Sequence, residues 1–140
     1  LRVARENAGF HGVSSQISFL RGNLFDTIHE GRFGPFDFIL SNPPYIDAGR
    51  FESLMPDVKN HEPRKALDGG VRGLEYYRRI VPEACGLLQN GGWLILEIGC
   101  DQGEAVCGLF HDIGEYDAPD VTLDYGGLSR VVSARKKSHG

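Results

Sequence analysis

Two short apolar runs, each ending in polar residues, constrain the fold of this chain more than any other feature. The runs are Phe36–Leu40 and Trp93–Leu96, and between them lies a segment with helical spacing of apolar residues, Leu74–Leu88. Short continuous apolar runs are typical of buried strands. Strands that alternate with helices favour a layered α/β fold with a largely parallel sheet. Ligands bind at the carboxyl ends of such strands, so we expect Asn42 and Glu97 to lie at the same edge of the sheet.

Local patterns predict the remaining elements. In chain order these are a helix ending at Gly9, a strand over residues 17–21, loop over 22–35 and 47–73, a stop of the central helix at Gly91-Gly92, a helix over 102–113, and a closing hairpin of strands 121–123 and 130–134. A loop as long as 47–73 is usually functional in a compact domain.

The sequence Ser41-Asn42-Pro43-Pro44-Tyr45 directly follows the first apolar run. Proline lacks an N–H and has a fixed φ, so the backbone here offers hydrogen-bond acceptors in a rigid arrangement. The Asn42 side-chain oxygen and a proline-flanked carbonyl can each accept one hydrogen of an –NH2 group, and Tyr45 supplies a flat wall. The nitrogen lone pair then points in one direction, as a direct methyl transfer requires. A turn or a polyproline-type ligand is the alternative, but it predicts a flexible polar neighbourhood instead of a buried strand.

Composition restricts the class of protein. The 140 residues suit one domain, and 41% hydrophobic with 24% charged residues is typical of a globular chain. A net charge of −4 argues against nucleic acid as a direct substrate. The sequence contains neither an apolar run long enough to span a bilayer nor a signal-peptide pattern, so no membrane partner is expected. The 3 cysteines form no Cys-x-x-Cys pair and the 5 histidines are scattered, which predicts a cytoplasmic chain without a metal site.

Taken together, the motifs resemble those of the release factor glutamine methyltransferases, a branch of the S-adenosylmethionine-dependent methyltransferases. The segments that carry the resemblance are Ser41–Ile46, His61-Glu62-Pro63 with Ala66-Leu67, Gly73-Leu74 with Tyr77, Gly91-Gly92, Leu96–Gly99, Gln102-Gly103, Asp124–Gly126 and Arg130-Val131. Order and spacing match from Leu1 to about Ala134. Asn-Pro-Pro-Tyr alone is shared with several amino-methylating families, whereas its combination with Glu-Pro-x-x-Ala-Leu is more specific.

The resemblance implies a seven-stranded, Rossmann-like methyltransferase fold with a C-terminal antiparallel hairpin. The implied reaction transfers a methyl group from S-adenosylmethionine to the side-chain amide nitrogen of a protein glutamine, that of the Gly-Gly-Gln loop of peptide-chain release factors. The implied catalytic residues are Asn42, Pro43, Pro44 and Tyr45, and the same four residues with Glu62 are the implied substrate-binding set.

The resemblance also implies cofactor contacts by Asn23, Leu24, Phe25 and Asn42. The family usually has Asp where this chain has Asn23. The amino group of adenine can donate to the Asn oxygen, but without the charge assistance of a carboxylate. For Leu24 and Phe25, packing in the core is an alternative interpretation.

Two parts of the family pattern are expected before Leu1: the glycine-rich loop after the first strand and the acid that holds the ribose. We therefore expect residues 1–140 to be a partial methyltransferase domain, truncated at its N-terminus with the first two strands missing. The fragment alone is then expected to be inactive, because an incomplete cofactor site binds poorly. A parent gene without coding sequence upstream of Leu1 would refute this expectation.

A second motif, the glycine loop Gly99–Gly103, also looks like a cofactor loop, because it follows a buried strand and precedes Asp124 at ribose-acid distance. It suggests a circularly permuted DNA methyltransferase acting on adenine N6 or cytosine N4. Asp101 argues against this, because its charge would obstruct an anionic ligand, and so does the hairpin predicted where a helix should follow. A glutamine methyltransferase of ribosomal proteins and a non-catalytic binding remnant are further alternatives.

Overall fold

The computed structural model describes residues 1–31, 33–53 and 63–138. The chain divides into two compact units, Leu1–Phe33 and Gly34–Gly140.

The first unit is mainly helical. It contains α1 (Arg2–Phe10), a 3-10 turn (Ser14–Gln16) and α2 (Asp26–Gly31). The strand predicted at residues 17–21 is wrong, since no described residue pairs with this segment in a sheet. Alternation supplies the pattern of a strand, but a strand is stable only when it has a partner for its backbone. The loop predicted at residues 22–35 is also partly wrong, because α2 lies within it.

The second unit contains a mixed four-stranded sheet. Its strands are β1 (Phe36–Ser41), β2 (Leu88–Glu97), β3 (Asp120–Leu123) and β4 (Ser129–Arg135), in the order β1-β2-β4-β3. Only β1 and β2 pair in parallel, whereas β4 runs antiparallel to both of its neighbours. The α/β class is therefore confirmed, but the expectation of a largely parallel sheet is wrong for these strands. The predicted closing hairpin is present, and it accounts for both antiparallel ladders.

Two long helices cover one face of this sheet. They are α4 (Glu75–Leu87) and α5 (Gly103–Ile113), which follow the short helix α3 (Arg64–Leu67). The buried face of α4 carries Tyr77, Ile80, Val81, Ala84 and Leu87, and the strands supply the buried residues Leu94, Leu96, Val132 and Ala134. Burying each larger aliphatic side chain contributes about 1.5–3 kcal/mol. Both helices lie where the periodicity predicts them, because packing on the sheet buries their apolar faces.

The glycines at 91 and 92 do not stop the helix, as the sequence predicted, but lie within β2. A Cβ on Gly92 would lie 2.9 Å from the carbonyl oxygen of Phe36, so the neighbouring strand leaves room only for glycine. The pairing of β1 with β2 shifts register between Phe36 and Phe38, opposite these glycines. Helix α4 ends at Leu87 because Leu88 already has an extended backbone.

The long segment predicted as loop contains short structured pieces: a 3-10 stretch (Ala48–Ser53), α3 and a 3-10 turn (Val71–Gly73). Across the described ranges, the structure has no helix with the length and apolar character that a bilayer crossing requires. The same ranges contain no cluster of His, Cys, Asp and Glu suited to a metal ion.

Candidate active site

The polar ends of β1 and β2 lie at the same edge of the sheet, as the sequence predicts. The two strands are parallel, and Ser41 at the end of β1 is paired with Leu96, one residue before Glu97. The loop that follows β1, Asn42–Tyr45, is called here the acceptor corner. It leaves the sheet beside Glu97, and the hydroxyl of Tyr45 donates to Glu97 Oε1 at 3.4 Å.

Within the acceptor corner, Asn42 is exposed and Pro43 is buried. The Asn42 carboxamide makes no hydrogen bond to any residue that the structure describes, and neither does the Pro43 carbonyl oxygen. Because Pro43 and Pro44 have no N–H, the corner presents free acceptors and few competing donors. It can therefore accept both hydrogens of an –NH2 group.

A cavity of about 230 Å³ opens at this corner. It is lined by Asn42, Pro43, Tyr45, Ile46, Ala66 and Leu67. In a pocket of this kind, a few well-placed polar groups fix the orientation of the bound group. Glu62, the fifth predicted substrate-binding residue, lies outside the described residues, so its role stays a prediction.

The position of Tyr45 is fixed by its surroundings. Burial, followed by the negative charge of Glu97, raises the pKa of the Tyr45 hydroxyl above its ordinary value, and Arg130 offsets part of this effect. The hydroxyl is therefore protonated at neutral pH and serves as a donor. The hydroxyl of Tyr77 donates to the main-chain oxygen of Glu97 at 2.9 Å, which holds the other side of the same strand end.

The segment at the end of α3 and just after it is hydrogen-bonded to Ile46, the residue that follows the acceptor corner. The amide of Ile46 donates to the Leu67 oxygen, and the amide of Gly69 donates to the Ile46 oxygen, both at 2.9 Å. A Cβ on Gly69 would lie 2.8 Å from both the Pro44 oxygen and the Tyr45 Cα, so glycine is needed for this close approach. The Glu-Pro-x-x-Ala-Leu motif thus leads into the segment that carries the corner.

Two residues without a predicted role, Gln102 and Arg130, contact this region. Gln102 is the only buried polar or charged side chain among the described residues, and its amide nitrogen donates to the Tyr45 oxygen at 2.9 Å. Arg130 pairs with Asp124 at 3.0 Å and donates to the Ile98 oxygen at 3.4 Å. Both residues belong to motifs of the resemblance, but their contacts join distant parts of the chain, which no local pattern reveals.

A second, larger cavity of about 560 Å³ also borders Tyr45. Its lining residues are Tyr45, Ile46, Asp47, Arg50, Arg72, Leu74, Gly99, Cys100, Asp101, Gln102, Ala105 and Arg130. Arg50 is paired with Asp101 at 2.7 Å, so the charges of these two lining groups balance each other.

Several polar groups of the glycine loop and of the hairpin turn are already paired within the protein. The amide of Gly99 donates to Gln102 Oε1 at 2.9 Å, and the Asp101 carboxylate pairs with Arg50. The Asp124 carboxylate accepts the amides of Gly126 and Leu128 at 2.9 and 3.1 Å within the hairpin turn. These groups are used inside the protein, which disfavours the permuted arrangement.

The three residues predicted to contact adenine lie in the first unit. Asn23 is exposed, and Leu24 and Phe25 are half-buried. Leu24 has a φ of 51°, a left-handed backbone that is uncommon for a leucine and that precedes α2. The Asn23 carboxamide makes no hydrogen bond to a described residue, so its oxygen can accept from an amino group. The cofactor role of these residues stays a prediction.

Comparison with known proteins gives consistent relatives. No family profile matches the chain. A protein named release factor glutamine methyltransferase from Geobacter sulfurreducens is 43% identical over 135 residues, which cover 96% of this chain and 45% of the relative. A protein of the same name from Moorella thermoacetica is 42% identical over 137 residues, covering 98% and 47%. The chain thus spans about half the length of the curated relatives it matches.

Two solved structures resemble this one. The release factor-specific protein-(glutamine-N5) methyltransferase of Alicyclobacillus acidocaldarius has a TM-score of 0.50 and 26% identity, covering 82% of this chain and 56% of that one. TrmN of Thermus thermophilus has a TM-score of 0.53 and 26% identity, covering 95% and 32%.

Proposed function

We propose that this chain, which is homologous over nearly its whole length to release factor glutamine methyltransferases, is the C-terminal part of an S-adenosylmethionine-dependent methyltransferase domain. The homology confirms the resemblance inferred from the motifs. Residues 1–140 would form a partial domain of a seven-stranded, Rossmann-like fold. The exposed edge strand β1 supports this, because Phe38 and Leu40 are 60% and 70% exposed there, as residues awaiting further packing would be.

The proposed reaction is methylation of the side-chain amide nitrogen of a protein glutamine. One observation carries this proposal: the exposed Asn42 carboxamide and the Pro43 carbonyl have no hydrogen-bond partner among the described residues, and they lie beside Tyr45 at the edge of the sheet where ligands bind in such folds. The names of the relatives support a glutamine of a release factor as the acceptor, and the motif resemblance implies that this is the glutamine of the Gly-Gly-Gln loop. Release factors act with ribosomes in the cytoplasm, which is the proposed location.

In the proposed mechanism, the chain's own residues orient a weak nucleophile. An amide nitrogen is a poor nucleophile because its lone pair is delocalised over the carbonyl group. Asn42 and the Pro43 carbonyl accept the two N–H groups, which favours a pyramidal nitrogen in the transition state. Tyr45 packs against the amide plane, and buried Pro43 keeps the acceptors fixed.

S-adenosylmethionine, when bound, supplies an electrophilic methyl group on a sulfonium. Asn23 suits the amino group of adenine, because its carboxamide oxygen has no partner among the described residues. Leu24 and Phe25, which follow it in the sequence, and Asn42 are proposed as further cofactor contacts. The sulfonium would leave as a neutral thioether, and the methylated glutamine nitrogen would lose its proton to water, so the residues of the site need not include a strong base. Glu62 is proposed to shape the substrate loop.

Transfer of labelled methyl groups by the full-length protein tests the proposal. We expect label in purified release factor, and no label when the glutamine of its Gly-Gly-Gln loop is replaced by alanine. Ribosomal protein and DNA serve as parallel acceptors. Labelling of DNA instead of release factor would support a nucleic-acid amino-methyltransferase, which the glycine loop geometry and the net charge of −4 disfavour.

The affinity of the isolated chain for the cofactor distinguishes part of an enzyme domain from a non-catalytic binding remnant. We expect residues 1–140 alone to bind S-adenosylmethionine at least about tenfold more weakly than the full-length protein, because the ribose and carboxylate contacts of the family lie elsewhere. Equal affinity in titration calorimetry would contradict the partial-domain proposal.

A further inference from the structure

Gln102 is the N-cap residue of α5, and the residue is 7% exposed. Its Nε2 donates to the Tyr45 oxygen at 2.9 Å and to the Arg72 oxygen at 3.1 Å, while its Oε1 accepts the Gly99 amide at 2.9 Å. One carboxamide therefore joins three loops: the acceptor corner, the turn before α4 and the glycine loop.

The surroundings leave this carboxamide little freedom. A Cβ on Gly73 would lie 2.0 Å from the Tyr45 oxygen and 2.5 Å from Gln102 Nε2, so the backbone of the turn before α4 is packed directly against this contact. Within the described ranges, no buried side-chain nitrogen or oxygen lacks a hydrogen-bond partner. A satisfied buried polar network of this kind specifies one geometry for the groups it joins.

The hydrogen bond to Tyr45 acts close to the proposed chemistry. The Tyr45 carbonyl is three residues from Asn42, and the prolines between them transmit a displacement because their φ angles are fixed. A shift of about 1 Å in the reacting groups can cost about 100-fold in rate.

We propose that Gln102 is a positioning residue that holds the acceptor corner in the geometry needed for methyl transfer. The inference rests on the proposed function and deepens it, since Gln102 is hydrogen-bonded to the main-chain oxygen of Tyr45 and acts only through the acceptor corner. It also explains why the glycine loop carries a Gly-x-x-Gln-Gly sequence without serving as a cofactor loop. The Gln102 side-chain oxygen accepts the hydrogen bond of the Gly99 amide in the same loop.

Two substitutions in the full-length protein test this role. Gln102→Met keeps the length and removes both the donor and the acceptor. Gln102→Asn keeps the carboxamide but shortens its reach, and it decides the question if the Met variant does not fold. Tyr116→Phe is the matched control, because it removes a buried 2.8 Å hydrogen bond to the Val81 oxygen away from the acceptor corner.

We expect kcat for release factor methylation to fall about 10- to 100-fold in both Gln102 variants. The KM for S-adenosylmethionine is expected to change less than about twofold, and Tyr116→Phe is expected to keep its kcat within about twofold while losing thermal stability. Faster hydrogen exchange of the Ile46 and Gly69 amides in the Gln102 variants provides a readout that does not depend on activity.

A folded Gln102 variant with the kcat of the Tyr116→Phe control would overturn the positioning role and leave the proposed function intact. Failure of the unsubstituted protein to methylate release factor would instead refute the proposed function, while the exchange measurement would still decide whether Gln102 holds the corner.

Discussion

Each of the two parallel strands is followed by a loop whose sequence suggests a ligand site, but the two loops differ in the polar groups that they present. The acceptor corner after β1 presents acceptors on Asn42 and Pro43 that have no partner in the described part of the chain. The glycine loop after β2 uses its Gly99 amide to hold Gln102, and its Asp101 is paired with Arg50. Both loops follow the parallel strands at the same edge of the sheet, but the side chains of the second loop that could bind a ligand, Asp101 and Gln102, are paired within the protein. A motif identifies a site only when its polar groups are not already satisfied within the protein.

The most direct test of the difference between the two loops is to remove the Asn42 acceptor. We expect Asn42→Ala to lower methyl transfer about 100-fold or more, because one hydrogen bond that strengthens in the transition state is lost. Its melting temperature should change little, since Asn42 is exposed. Asn7→Ala, at an exposed carboxamide of α1, is the control. Near wild-type turnover of Asn42→Ala would remove the acceptor corner from the mechanism.

Gly73→Ala tests how tightly the acceptor corner is packed. The added Cβ would lie 2.0 Å from the Tyr45 oxygen, and the φ of +67° disfavours any side chain. We expect the free energy of unfolding to fall by about 2 kcal/mol or more in denaturant titrations of the full-length protein. Gly86→Ala is the matched control, because an added Cβ would meet no described atom within 4 Å apart from its chain neighbours and the backbone of its own helix. In helix α4 it should stabilise by about 0.5–1 kcal/mol. Equal effects of the two substitutions would contradict the packing argument.

Tyr45→Phe separates the ring from its hydroxyl. The hydrogen bond to Glu97 is long at 3.4 Å, so we expect kcat to fall less than about tenfold, whereas Tyr45→Ala should lose much more. Because the folded-state pKa of Tyr45 is raised, its neutral form is kept below the ordinary value of 10.0 and is lost only as the pH rises through the raised pKa. The ratio of wild-type to Tyr45→Phe activity should therefore be constant from pH 7 to about pH 9. A step in that ratio would show that the hydroxyl ionises earlier.

The β3–β4 turn provides a smaller, pH-dependent test. The amide of Leu128 and the Arg130 guanidinium hold the pKa of Asp124 below its ordinary value of 3.8. A lowered folded-state pKa gives stability that is present above about pH 4 and is lost as the pH falls through the folded-state pKa. We expect Asp124→Asn to show less of this acid-induced loss than the wild type in melts between pH 7 and pH 3. Parallel curves for the two proteins would contradict this assignment.

The smallest expected effect concerns the glycine loop. Asp101→Ser removes an exposed ion pair with Arg50, which is worth about 0–1 kcal/mol. We expect the affinity of the full-length protein for S-adenosylmethionine to change less than about twofold in titration calorimetry. A larger change in either direction would place the cofactor at this loop and support the permuted arrangement.

Sequence alone predicted the elements whose signals are local. The apolar spacing of α4 and α5, the strand before Asn42 and the closing hairpin all lie where the patterns predict them. The placement of Asn42 and Glu97 at one edge followed as well, because parallel strands that end in polar residues must bring those ends together.

The predictions that failed concern features that depend on a partner strand. Residues 17–21 have the alternation of a strand but no described strand beside them. Gly91 and Gly92 have the composition of a helix stop, but the approach of the Phe36 oxygen explains the need for glycine at position 92. Sequence patterns report what one segment prefers, whereas pairing depends on a second segment.

The sequence by itself determined which groups stand at this corner: an asparagine, two prolines and a tyrosine directly after the apolar run Phe36–Leu40. Only the tertiary structure decided which groups remain free at that corner and which are used to hold it. The hydrogen bond from Gln102 to Tyr45 spans 57 residues, so neither partner's neighbours in sequence reveal it. The physical reason is that the hydrogen-bond partners of a polar group come from all the residues packed around it, and burial and contact exist only in the folded chain.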